Sequence, residues 1–524
     1  MKEINLASWL VKFAPAVFLL AMQGSPGAVL TRTSAFDYDP ATGLLTKEII
    51  EPDNTAMCLV TAYTLDAFGN RTAATTRNCN GSTGSLPGSN SEAAAPSGDP
   101  VFASRTNVNV MDTRGQFVAT ARNALYNSST NPNQQETRTY NTDFGTFATL
   151  TGPNNLTTAW YYDGFGRKSL EVRADGNGTQ WAYFFCSGYF SGTASCPTIN
   201  GESAVYVLVA TPVSGPINAA AGTAGPVNGP VTKAYYDSLN REIRTETQGF
   251  DGTGTSTPIY RDTEYDSLGR ASKVSRPYYE GQAAYWVSVT FDGISRVVTQ
   301  TQPDNTVTTT TYNGLAVTVQ NANLQTQVTT KNSQGQVVNV QDAYSKVLSF
   351  QYDPFGNPIS NTDDVGNQTV VSYDIRGRMV QMIDPDMGTW IYAYDALGQL
   401  IRKTDAKSQT STMTYDLLGR MLDRTEPDLT STWYYDFYQG GASCNKGIGK
   451  LCQETTNTGY NKTISYDSLG RLGAVATIID VPTPYGEGVT YDSNGRLATR
   501  TYPSGLVVNF TYTTLGYLQK ITNS

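Results

Sequence analysis

Histidine is absent from all 524 residues. That gap removes the Ser-His-Asp and Cys-His nucleophile systems, together with the usual nitrogen ligand of zinc. Charge is scarce as well: 16% of residues are charged and the formal balance is −8. Without a basic face to neutralise phosphates, a nucleic-acid partner is not expected. There is no Cys-x-x-Cys and no glycine-rich phosphate loop, so neither a metal nor a nucleotide cofactor is expected. One adjacent carboxylate pair, Asp363 and Asp364, reads as two solvated surface carboxylates, because neighbouring strand residues point to opposite faces. The chain therefore reads as non-enzymatic.

Long apolar runs are also missing. The longest is near the N-terminus, where Lys2 and Lys12 lead into about ten apolar residues followed by small ones, the pattern of a secretory signal. Pro15 interrupts that run, and it is too short to span a bilayer as a helix. Residues 1–30 read as a signal peptide, with an uncleaved anchor or a cytoplasmic start as the other readings. Export places the chain outside the cell, in a periplasm or on a cell surface, and no transmembrane span is expected. Six cysteines fall in three close couples, Cys58 with Cys79, Cys186 with Cys196, and Cys444 with Cys452. Local disulfides would give that distribution, although spacing alone does not fix connectivity.

What the sequence has in quantity is Gly 48 and Tyr 33, with many Thr and Val, a β-rich composition. It also repeats itself. "SYDSLGRL" at 465–472 recurs as "YYDGFGRK", "EYDSLGRA", "SYDIRGRM", "TYDLLGRM" and "TYDSNGRL". The aromatic marks a series at Tyr162, Tyr236, Tyr265, Phe291, Tyr312, Lys331, Tyr352, Tyr373, Tyr394, Tyr415, Tyr435, Tyr466, Tyr491 and Tyr512, in which six steps are 21 residues. A fixed period of this length is the signature of a repeat architecture. It divides the chain into degenerate repeats at 31–80, a low-complexity loop at 81–100, repeats with an insert at 101–210, a Gly/Pro/Ala linker at 211–230 and a regular array at 231–524.

The unit reads as a hairpin. Asp favours the first position of a turn because its carboxylate accepts backbone N–H bonds, and a glycine three residues later supplies the left-handed conformation. These turn glycines are Gly166, Gly269, Gly356, Gly377, Gly398, Gly419, Gly470 and Gly495. In "YDSLGRL" the register sets Asp467 opposite Arg471 and Tyr466 opposite Leu472, with charges on one face and apolar groups on the other. The Asp/Arg pairs, such as Asp374 with Arg378, read as exposed ion pairs. Asn240, Ser295, Ala316 and Gln439 stand where the glycine is expected, and Lys331 where the aromatic is, so those copies read as degenerate. "QPDN", "DPDM", "EPDL" and "YPSG" supply second turns, because proline presets φ and cannot donate to a ladder. Two strands of about seven residues per repeat, each spanning about 23 Å, give an all-β, antiparallel ribbon with a Tyr-lined face. A β-propeller is the alternative, two hairpins making one blade.

The repeated "YDxxGR" phrase at this spacing resembles the YD repeat of bacterial Rhs proteins, insecticidal Tc toxin shell subunits and animal teneurins, over roughly residues 31–524. The resemblance implies a ribbon winding into a spiral and closing as a hollow shell around a polymorphic toxin domain. It implies as partners that toxin domain or a shell chain continuing the spiral. The sequence departs from the pattern in having no "DPxGL" pair and no later variable domain, so it reads as a partial shell. A cell-surface adhesion or carbohydrate-binding module, using the aromatic faces, is the competing function.

Overall fold

The computed structural model describes residues 31–54, 57–79, 104–189, 192–215, 217, 225–250, 256–479 and 483–523. The segment read as a signal peptide and the loop at 81–100 lie outside the described residues. The rest forms two compact units. The smaller takes the described residues up to Thr106 with Phe350–Thr362 and Gly366–Thr410; the larger takes Asn107–Ser349, Asp363–Val365 and Ser411 onward.

Among the described residues there are 41 strands and no helix. In each unit, strands pair antiparallel with their neighbours in sequence. Gln368–Tyr373 pairs with Met379–Asp384, which pairs with Gly388–Tyr394 in the smaller unit. In the larger, Asn461–Tyr466 pairs with Leu472–Ile478, which pairs with Tyr485–Tyr491. Hairpin follows hairpin in one ribbon instead of separating into blades, so the propeller is set aside. Most strands have five or six residues, fewer than the seven expected, because each Asp turn takes five residues from the ladder.

The ribbon is a single layer. In Gln368–Tyr373 exposure alternates, with Thr369, Val371 and Tyr373 half-buried and Gln368, Val370 and Ser372 in solvent. The open face carries cross-strand threonine pairs, such as Thr290 with Thr299 at 2.6 Å and Thr490 with Thr499 at 2.7 Å. Such pairs contribute a few tenths of a kcal/mol, up to about 1 kcal/mol each. Fully buried apolar clusters are small and lie beside disulfides. One gathers Ile49, Val60, Cys58 and Cys79; the other gathers Ile199, Val207, Tyr235 and Ile243 around Cys186.

The structure joins Cys58 to Cys79, Cys186 to Cys196 and Cys444 to Cys452, with Cα separations of 5.5, 5.5 and 5.8 Å. Strand Tyr206–Val213 pairs along its whole length with Gly178–Phe185, so the Gly/Pro/Ala stretch enters the sheet at its first three residues. Asp363 and Asp364 sit in a turn. Asp363 accepts the Val365 N–H at 3.0 Å, and Asp364 pairs with Lys346.

Candidate functional site

The repeated phrase builds a staple. At Asp467 the backbone N–H donates to the Arg471 carbonyl at 2.8 Å, and the Gly470 N–H returns to the Asp467 carbonyl at 3.0 Å. The Asp467 carboxylate accepts the Leu469 and Arg471 N–H groups at 2.9 and 2.8 Å and the Arg471 guanidinium at 2.8 Å. Tyr466 lies opposite Leu472, with a bulge directly before it. All eight turn glycines have positive φ, between 74° and 89°, where a Cβ is strained. Asn240 and Ser295 hold the same conformation at 62° and 67°. Those two copies are therefore degenerate in sequence alone.

The aromatic marker does more than fill a face. Its hydroxyl donates to the backbone carbonyl just past the preceding Asp or Asn turn: Tyr162 to Phe147, Tyr265 to Glu242, Tyr312 to Val297, Tyr373 to Pro358, Tyr466 to Leu451 and Tyr512 to Leu497, at 2.7 to 3.0 Å. The preceding Arg stacks on the ring. Arg270 covers Phe291 at 4.3 Å, Arg296 covers Tyr312 at 4.0 Å, Arg378 covers Tyr394 at 5.1 Å and Arg471 covers Tyr491 at 4.0 Å. Tyr236 instead stacks on Tyr206, 4.7 Å between centroids. Tyr352 and Tyr415 close the strands Val347–Tyr352 and Thr410–Tyr415. In the copies that keep all three residues, as at Asp292, Arg296 and Tyr312, the Asp orients the Arg, the Arg covers the next aromatic, and the tyrosine hydroxyl ties back to the hairpin before it. Charges and aromatics are not segregated on opposite faces, because the guanidinium is long enough to lie across the neighbouring ring.

Several of the ion pairs read as exposed are buried. Side-chain exposure is 14% for Arg378 and 4% for Asp374, against 42% and 21% for Arg296 and Asp292 in the same motif. Burial alone would raise the Asp467 carboxyl. The guanidinium and the N–H of Arg471 outweigh it and hold the carboxyl below the usual carboxylate range. Asp237 behaves alike, burial being overcome by the N–H and guanidinium of Arg241. Asp395 is the exception, pushed up by burial against the hydrogen bond from the Gln399 N–H. Sequence reasoning missed a buried cluster around Asp262 and, beyond the Asp416/Arg420 pair of the repeat, a second carboxylate on Arg420. Arg244 binds Asp262 through both nitrogens at 2.6 and 2.7 Å. The Tyr278 hydroxyl joins them and is pushed up to about 12 by burial and by Asp262. Arg420 bridges Asp416 and Asp436 at 2.6 and 2.8 Å. A charged residue inside an otherwise alternating strand was the available signal for Asp262.

A seam runs through each unit. In the smaller one, the Arg32 guanidinium donates to the Ile375 carbonyl at 2.6 Å and covers Phe355 at 4.0 Å, and Arg105 donates to Gln399 at 2.7 Å. In the larger one, Asn154 exchanges hydrogen bonds with the Ile448 backbone at 2.9 and 3.0 Å. Asn177 donates to the Ser493 carbonyl at 3.1 Å, Asn228 to Asn494 at 3.2 Å, and the Tyr517 hydroxyl to the Gln248 carbonyl at 2.8 Å. These partners are 266 to 343 residues apart. Throughout the larger unit the later strand pair offers its Asp turn or the loop beside it, and the earlier one offers its second turn or the segment just past it. Winding therefore joins hairpin ends.

Among the described residues no helix is long and apolar enough to cross a membrane. No curated protein matches the sequence. The RHS Repeat family matches residues 394–430 and 491–524. The fold resembles the crystal structure of TcdB2-TccC3-Cdc42, with a TM-score of 0.53 and 12% identity over 94% of this chain and 37% of that one. It also resembles the Tc holotoxin pore of Photorhabdus luminescens carrying a TccC3 mutation, with a TM-score of 0.51, 12% identity and the same coverage. The chain spans a little over a third of the length of these structures. Two segments of the chain are RHS repeats by sequence, the other hairpins repeat their geometry, and the chain shares the all-β fold of these Tc toxin structures.

Proposed function

We propose that this chain is a non-enzymatic wall segment of a toxin-associated RHS shell, one that encloses or presents a polymorphic toxin domain in bacterial competition or virulence. The observation that carries the reading is the seam. A ribbon whose hairpin ends bond to its own earlier strands hundreds of residues back is a wall one layer thick, and a wall separates two volumes. The partners are the toxin domain and a shell chain that continues the spiral. Three local disulfides fit an oxidising compartment, so secretion, a periplasm or a cell surface is the expected location. Small-angle scattering with in-line size exclusion on the oxidised chain tests the wall. A curved, hollow distance distribution is expected, and an extended one overturns the reading.

A second reading, carbohydrate-binding adhesion, rests on one open cleft of about 190 Å³ lined by Arg167, Tyr183, Phe184, Phe185 and Tyr206. Exposed rings beside a guanidinium stack on sugar faces. Loss of glycan-array binding in Tyr206→Ala with unchanged circular dichroism would support it, and a blank array for the unaltered chain would remove it.

A further inference from the structure

The apolar residue at the tip of the repeat turn, two positions after the residue that opens it, behaves in two ways within the larger unit. In the later winding, Leu418, Leu469 and Leu515 are half-buried. Around them, a Cβ on Gly470 would stand 3.4 Å from the Leu156 side chain, and one on Gly516 would meet the Asn228 carbonyl at 3.4 Å. In the earlier winding, the same position holds Phe165, Leu239, Leu268 and Ile294, which are 83, 69, 71 and 73% exposed. Four large apolar side chains on one edge of a ribbon form an uncovered row. The opposite edge shows the converse where the later winding meets it. Asn177, in a second turn of the earlier winding, is 2% exposed, whereas Leu506 in a later second turn is 42% exposed and Ile479, just past the strand Leu472–Ile478, 51%.

We propose that the exposed tips Phe165, Leu239, Leu268 and Ile294 are a docking edge for the second-turn edge of a second copy of this chain. The argument is continuity with the seam already inside the molecule. The free tip edge has the chemistry that is buried against second turns one winding later, and the free second-turn edge matches the one that receives tips one winding earlier. One chain carries both halves of the joint. The contact is heterologous, head to tail, and continues the winding instead of closing a symmetric dimer. The inference uses the same seam as the wall reading but requires no cargo.

The test uses the full-length chain in sedimentation velocity across a concentration series. The unaltered chain is expected to grow past the dimer. Leu268→Asp/Ile294→Asp blocks the tip edge and Ile479→Asp/Leu506→Asp blocks the second-turn edge, each weakening self-association by about tenfold or more. Mixed one to one, the two blocked chains keep one good edge each and are expected to form a dimer that grows no further. Should an aspartate variant lose its circular dichroism, the serine substitutions at the same positions replace it. A chain that stays monomeric to its solubility limit overturns the proposal. So does a mixture that associates no better than either variant alone, the outcome for a symmetric contact or for tips that serve a different partner. Neither result bears on the scattering profile of the monomer, so failure of the joint and failure of the wall are told apart.

Discussion

Replacing Asp374 by Ala tests whether the staple holds the ribbon. Its carboxylate accepts the Arg376 N–H at 2.9 Å, the Arg378 N–H at 3.0 Å and the Arg378 guanidinium at 2.6 Å. Breaking a buried pair costs about 3 to 5 kcal/mol. Arg378 keeps one bond, to the Asp395 carbonyl at 2.6 Å, which sets the expectation at the low end, about 3 kcal/mol. In a repeat array such a loss opens one neighbourhood and not the whole molecule, so a melting temperature would dilute it. Native-state hydrogen exchange read on peptides from 368–384 resolves it. About 3 kcal/mol corresponds to an opening constant raised about 100-fold. Asp292→Ala removes the same bonds at an exposed copy, and peptides from 286–301 should change far less. Equal acceleration at the two sites would refute the view that burial, and not the motif itself, sets the strength of each staple.

The buried carboxylate of Asp395 predicts the opposite sign. Its folded-state pKa lies above the ordinary value, so the charged form burdens the fold once pH rises past it. Asp395→Asn keeps an acceptor for the Gln399 N–H and should leave exchange at 388–404 unchanged or slower at pH 7. Asp237 and Asp467 are held below the ordinary value. Their contribution is present above about pH 4 and is lost as pH falls through the folded value. Exchange at 232–248 and 461–478 should then accelerate under acid while 388–404 does not. At the seam, Asn177→Ala deprives the Ser493 carbonyl and the Asn228 amide of a partner. The cost is about 1 to 3 kcal/mol, visible as faster exchange at 485–501, some 300 residues away in sequence. Unchanged exchange there would mean that the seam carries no energy.

Local features were legible in the sequence because they are encoded within five residues. The turn from Asp467 to Arg471, the pairing of Tyr466 with Leu472 and the left-handed glycines follow from residue types alone. Second turns were only half legible. Proline marks Gln302–Asn305, but Asn321, Asp342 and Asp405 open turns closed by left-handed Leu324, Ser345 and Ser408, where no glycine advertises the conformation. The reach of Arg296 over Tyr312 was hidden because it crosses from one repeat to the next. The seam was illegible. Nothing near Asn154 announces Ile448, since the match is set by how far the ribbon curls in 294 residues and not by any local pattern.

That separation is also an interval of time. At roughly 5 to 20 residues per second, a ribosome that has released Arg32 needs about 15 to 70 seconds to reach Ile375, its partner across the seam. For that interval the early hairpins stand as an open ribbon with one edge unoccupied. Staples that act only between neighbouring hairpins suit this delay, because they can form as each repeat emerges. The repeated phrase therefore serves assembly as well as stability, keeping the first winding in shape until the second arrives to close on it.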